Sequence, residues 1–146
     1  MKIKNSVAIL VFNDKEELAL QLRAAHDDSY PSHWDFSAAG GIQAGEEPDV
    51  AAVRELQEEI GIQEELRFIE KVFYKDEKEQ GNIFLYSTQH NGPFHPDANE
   101  VADIRFFSLN LIEQMIAEGE KFHPEFPFVW KLGIIQKHMK ETHDTV

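Results

Sequence analysis

A polar start, Met1 to Ser6, gives way to an unbroken apolar run from Val7 to Phe12. A short apolar run of this kind predicts a buried strand, and Asn13-Asp14 predicts the turn that ends it. Glu17 to Arg23 then alternates apolar and polar positions with period two, the mark of a half-buried strand. The two runs predict a hairpin. Ala24 to His33 is polar and holds Pro31, so it reads as loop. Trp34 to Ala38 is a short strand candidate ending at Gly40-Gly41.

The period changes after that. Val50, Val53, Leu56 and Ile60 recur at helical spacing and predict one apolar stripe. Pro48 suits the first helical position, Asp49 the positive helix end, and Gly61 the stop. Leu66–Tyr74 and Ile83–Thr88 read as strands around the charged turn Lys75–Asn82. Asn91-Gly92-Pro93 and Pro96 mark a loop, and Val101–Phe107 a strand. Leu109–Glu118 and Glu125–Lys140 read as helices, the second with Phe126, Val129, Trp130, Gly133, Ile134 and Met139 toward the core. Strands interspersed with helices predict an α/β fold, a mixed sheet covered by helices.

The length of 146 residues predicts a single domain, 1–146. The absence of cysteine removes thiol catalysis, disulfides and Cys-ligated metal. Fourteen basic against 27 acidic residues give a net charge of -13, a field that repels duplex nucleic acid and anionic membranes. A small anionic substrate is compatible with that field where a metal ion supplies local positive charge. The apolar run at Val7–Phe12 is too short for a membrane span or a secretory core, so a cytoplasmic location is expected.

Chemistry concentrates on the first predicted helix. Glu55, Glu58 and Glu59 are three and four positions apart, so their carboxylates share a face, roughly opposite the predicted stripe. Such a face is either a solvated acidic surface or a site for a hard cation such as Mg²⁺, Mn²⁺ or Ca²⁺. The flanking residues separate these alternatives. Gly40, Glu46, Arg54-Glu55-Leu56, Glu58-Glu59 and Gly61-Ile62 stand at the spacing of the Nudix box, with every specified position met between residues 40 and 62. A chance match is on the order of one in a billion per starting point.

The chain thus resembles the Nudix hydrolases. The resemblance implies a Nudix α/β/α sandwich over nearly the whole chain. It implies hydrolysis of a diphosphate linkage in a nucleoside diphosphate derivative or similar organic diphosphate, by water activated on Mg²⁺ (or Mn²⁺). It gives metal binding and water activation to Glu55, Glu58 and Glu59, with the Ala39 carbonyl, next to Gly40, completing the metal shell. A Glu46–Arg54 ion pair would lock the loop to the helix. Glu100 is a further base candidate, ahead of Asp97 and Asp103. The partner implied is a small-molecule diphosphate, with a homodimer as the assembly frequent in the family.

Pro31-Ser32-His33-Trp34-Asp35 before the box, Glu100-Val101 and Phe122-His123-Pro124 resemble the branch related to isopentenyl-diphosphate isomerase. That isomerase needs a cysteine and metal-binding histidines. This chain has no Cys, and Gly41 stands where the branch often has His, so hydrolase is the better reading. The alternative from another class is a nucleotide-sensing Nudix module that does not cleave. No proline near Asp76 and no tyrosine near Lys78 supply the signatures of ADP-ribose or dinucleoside-polyphosphate hydrolases. Trp34, Phe84, Tyr86 and Tyr30 are candidates for stacking a base, and Arg23 for touching a phosphate. The seven histidines show no zinc spacing, and most are expected at the surface.

Overall fold

The computed structural model describes residues 2–144, with side chains through Lys140. Its elements in order are β1 (Ser6–Phe12), β2 (Glu17–Arg23), β3 (Trp34–Asp35), β4 (Ala38–Gly41), α1 (Pro48–Ile60), β5 (Arg67–Lys75), β6 (Gln80–Gln89), β7 (Val101–Ser108), α2 (Leu109–Ala117), α3 (Glu125–Lys131) and α4 (Ile134–Asp144). The strands form one mixed sheet, ordered β3-β2-β1-β6-β5, with β4 on β1 and β7 on β2. The β1–β6 pair is parallel and the remaining pairs are antiparallel.

The unbroken apolar run of β1 follows from its two covered faces. Ala8, Leu10 and Phe12 enter one core with Ile112 of α2, Phe126 and Trp130 of α3, and Ile135 and Met139 of α4. Val7, Ile9 and Val11 enter the other, against Ala51, Ala52, Leu56 and Ile60 of α1. The result is the expected α/β/α sandwich.

The predicted hairpin forms, but it splays. Phe12 still pairs with Leu18, while farther along β1 pairs with β4 and β2 with β3. The segment read as one strand, Trp34–Ala38, is therefore two strands serving two partners, broken at Phe36-Ser37. Ser37 seals the break: its Oγ donates to the Ala19 carbonyl at 2.5 Å and accepts the Val11 N–H at 2.9 Å. Gly40 and Gly41 lie inside β4 rather than beyond a strand end.

Two helix expectations need correction. Glu125–Lys140 is broken at Leu132-Gly133, where Gly133 takes φ 77° and starts α4 in a new direction. Ile135, not Ile134, is then the fully buried residue of the pair. On α1, Val50 and Val53 are 58% and 49% exposed, whereas Ala51, Ala52 and Glu55 are buried with Leu56 and Ile60. The small side chains of Ala51 and Ala52 sit where the helix meets the sheet, which turns the valines outward. Glu55 thus lies on the buried face of α1, not opposite it. His138 is an exception to the expectation that most histidines lie at the surface: it is buried, with its Nε2 2.8 Å from Ser87 Oγ.

Candidate active site

The box is a loop, a turn and a helix tied together by one guanidinium. Gly45 takes φ 77° in the turn that returns the chain from β4 to α1, a conformation favouring glycine. The Glu46 N–H closes this turn on the Gln43 carbonyl at 2.9 Å, and Glu46 Oε1 accepts the Gln43 N–H at 3.0 Å. Arg54 then grips Glu46 with two parallel bonds, Nε to Oε2 at 2.8 Å and Nη2 to Oε1 at 2.9 Å. Its remaining donors reach Glu55 Oε1 at 2.7 Å, Glu58 Oε2 at 3.2 Å and the Gly41 carbonyl at 3.1 Å. The bidentate Glu46–Arg54 pair expected from the sequence is present. It holds the Glu46 carboxyl down at about 2, mainly through the Arg54 hydrogen bonds.

Glu59 is held differently. Its Oε1 accepts the Ala39 N–H and the Gln21 Nε2–H, both at 2.9 Å. Burial pushes its pKa well above the usual carboxylate range, and repulsion from Glu55 and Asp35 adds to this, against those two hydrogen bonds. Gly40 lies directly on the Glu55 carboxylate, leaving no room there for a side chain. Glu58 stays exposed at the rim.

The loop after β6 docks on the C-terminal end of α1. The His95 and Asp97 N–H groups donate to the free carbonyls of Ile60 and Glu59, both at 2.9 Å. Gly61 ends the helix at φ 68°, and a side chain there would strike the His95 backbone. This docking brings Glu100 within electrostatic reach of the box. Partial burial raises its pKa first, followed by repulsion from Asp97, Glu55 and Glu58.

The donor set fits a hard divalent cation. Glu55, Glu58 and Glu59 offer carboxylate oxygens, with the backbone of Ala39 and Gly40 alongside, and oxygen ligands suit Mg²⁺ and Mn²⁺. Three mutually repelling carboxylates, two of them withdrawn from water, also lack enough positive charge from Arg54 alone.

Comparison with known proteins gives the family. The model of the NUDIX domain matches residues 2–127. The chain belongs to the Nudix hydrolase family. An uncharacterized Nudix hydrolase of Listeria monocytogenes, lmo0368, is 33% identical over 122 residues, covering 82% of this chain and 72% of the relative. Another from Pseudomonas aeruginosa, PA4841, is 36% identical over 106 residues, 70% of this chain and 62% of its own length. The isopentenyl-diphosphate Delta-isomerase 1 of Photorhabdus laumondii is similar at 27% identity, over 93% of this chain and 81% of that one, consistent with the branch read from the sequence. Among solved structures, the MutT protein of Methanosarcina mazei shares the fold at a TM-score of 0.77 and 19% identity, covering 96% of this Nudix chain and 95% of the other. Nudix hydrolases as a family cleave acid anhydrides of phosphorus, and this chain is an enzyme of that family.

Other candidates scatter. Arg23 lines a cavity of about 210 Å³ beside Ala39–Gly41, but it is committed to Asp35 at 3.0 Å, Asp27 at 3.2 Å and the Ser29 carbonyl at 3.0 Å. Tyr86 is buried beneath α1 with its hydroxyl on Asp49, and Phe84 packs against the same core. Trp34 packs edge-on against Phe107 at 5.1 Å. None of these three aromatics lines the cavity. Asp103 pairs with Arg105 at 2.6 Å on the surface. Sequence reasoning missed Gln21, whose one signal was an amide within a strand's alternation. It also missed Asp35 as a buried charge; the Trp-Asp pair was noted only as a branch marker.

No helix among the described residues is long and apolar enough to cross a membrane.

Proposed function

We propose that this chain hydrolyses a diphosphate linkage in a nucleoside diphosphate derivative or similar small organic diphosphate. Glu55, Glu58 and Glu59 would hold the divalent cation, Mg²⁺ with Mn²⁺ as substitute, beside the Ala39–Gly40 backbone. The observation that carries this reading is Arg54, whose five contacts tie loop and helix into one carboxylate array. When bound, the cation neutralises diphosphate charge and makes water more acidic.

The chain's own residues do the rest. Arg54 and Glu46 fix the helix against the loop. Gln21 and the Ala39 N–H aim Glu59. Glu59 and Glu100, both raised in pKa and so more basic as carboxylates, are the candidates to take the proton from the attacking water. Oxygen of that water bonds to one phosphorus, and the bridging oxygen leaves with the other. The absence of cysteine, together with Gly41, supports hydrolysis over isomerisation. We place the reaction in the cytoplasm, on a small molecule rather than duplex nucleic acid, which the net charge of -13 disfavours.

The test is turnover of a panel of nucleoside di- and triphosphates, nucleotide sugars, ADP-ribose, dinucleotides and prenyl diphosphates. It is run with Mg²⁺ and with Mn²⁺, using Glu58→Gln and Glu59→Gln as controls. Metal-dependent cleavage of one class, lost in both variants, is the expected result. Binding of a nucleotide without turnover of any member would overturn hydrolysis in favour of a sensing module.

A further inference from the structure

A second group of ligand-bearing side chains lies outside the box. Glu79 precedes β6, His123 precedes α3, and Glu125 begins α3. One ligand atom from each lies within 4.8 Å of the others. All three are half-buried and line the cavity beside β4. We propose that Glu79, His123 and Glu125 form a separate site for a first-row transition cation such as Mn²⁺ or Zn²⁺.

The frame of this site is already fixed. The His123 N–H donates to the Trp34 carbonyl at 2.8 Å, and the Tyr30 ring meets the His123 ring edge-on at 4.7 Å. The Glu79 N–H donates to Asp76 Oδ1 at 2.8 Å. A cation therefore has three donors from two segments without ordering a loop.

The second observation is an unmet charge. Among the described residues, no hydrogen bond or ion pair reaches the Glu125 carboxylate. Its neighbour Asp35 is satisfied by Arg23 at 3.0 Å and the Phe36 N–H at 2.8 Å. A half-buried carboxylate facing a second acid needs a compensating cation or proton. The pKa of Glu125 is pushed up to about 8, by burial first and then by Asp35, Glu79 and Asp76, with Arg23 opposing.

The donor set decides the ion. Two carboxylates and an imidazole nitrogen suit Mn²⁺ or Zn²⁺, whereas Mg²⁺ and Ca²⁺ prefer oxygen alone. One contact must give way. The Glu125 N–H lies 3.3 Å from His123 Nδ1, and an imidazole that ligates through Nε2 carries its proton on Nδ1. The contact is long, so its loss costs little.

The experiment is a titration of the tag-free, chelator-stripped full chain with Mn²⁺, followed by calorimetry and by electron paramagnetic resonance of free Mn²⁺. Two classes of site are expected. Glu59→Gln should weaken one class and spare the other. His123→Ala and Glu125→Gln should each weaken the spared class on the order of tenfold or more. Zn²⁺ should compete best there. In the Glu59→Gln chain, Mn²⁺ should still broaden the His123 ring resonances, a readout that needs no substitution at the new site. Unchanged stoichiometry and affinity in both His123→Ala and Glu125→Gln would overturn the proposal. So would loss of all Mn²⁺ binding in Glu59→Gln. Neither result depends on turnover, so it stands apart from the hydrolase reading.

Discussion

Two groups of acids flank β4, and they are treated in opposite ways. In the box, the carboxylates have been given partners: Glu46, Glu55 and Glu58 share Arg54, and Glu59 takes two N–H donors. In the cavity, Glu125 has none of these and faces Glu79. The box is an array preorganised by its own protein groups, which a cation would complete under the proposed function. The cavity group is an array in which Arg23 opposes the charge of Glu125 only from a distance, with no hydrogen bond to it among the described residues. Preorganisation costs nothing at the moment of reaction, so the partnered array is the one suited to catalysis.

The largest effect should come from making the first array resemble the second. Arg54→Ala removes the shared cation and unties the loop. Turnover should fall about 100-fold or more, because misplacement on the order of an ångström has that cost. Steady-state kinetics at saturating Mg²⁺ measure this, with thermal melting to show that the fold survives. Turnover within a few-fold of the parent would mean that the partners are ornament.

How far each array is legible in the sequence follows from chain separation. Glu46, Arg54, Glu55, Glu58 and Glu59 fall within one loop and one helix, so helical spacing implied the meeting of the three helix glutamates and the resemblance to the Nudix box implied the Glu46–Arg54 pair. Glu79, His123 and Glu125 come from the turn before β6 and from the entry to α3. They meet because Trp34 bridges to Phe122 and draws that segment to the sheet edge. No local pattern encodes that. The stripe on α1 failed for a related reason. Periodicity finds a face but not how close the sheet approaches, and the close approach selected Ala51 and Ala52 over the larger valines. The break at Gly133 was obscured because apolar residues continue on both sides of it.

A smaller effect separates the two glycines of β4. Gly40→Ala drives a methyl group into the Glu55 carboxylate, whereas a methyl at Gly41 meets nothing within 4 Å. Gly40→Ala should lose about 1–3 kcal/mol, as overpacking does, and most of its turnover. Gly41→Ala should stay within about 0.5 kcal/mol of the parent. Chemical denaturation of the pair, with kinetics alongside, checks both. Equal behaviour would mean that Glu55 moves freely and is not positioned by β4.

Acid titration gives a third comparison. The Glu46 carboxyl ionises at about 2 in the fold, against an ordinary value of 4.5. A depressed acid adds stability that is complete above its unfolded value and is lost as pH falls through the folded one. The melting difference between the parent and Glu46→Gln should therefore be constant near neutrality. It should shrink below about pH 4.5 and vanish near pH 2. A difference that persists at pH 2 would show that the Arg54 pairing is not its source.

The smallest effect tests which face of α1 carries the site. Val53 is 49% exposed, so Val53→Gln removes little buried surface and introduces a better helix former. Its stability should stay within about 0.5 kcal/mol of the parent, with turnover unchanged. Ala52→Val, one residue earlier, adds two methyl groups where exposure is zero, and should cost about 1–3 kcal/mol. The helix cannot back away from that methyl pair without moving Glu55 and Glu59, which ride on the same buried side. Ala52→Val should therefore also lower turnover, although residue 52 touches no substrate. Matched denaturation curves and kinetics for the two variants decide the point. If Val53→Gln proved the costlier, the buried face of α1 would be the valine face after all. The glutamates would then be a solvated rim, with no array for the sheet to position.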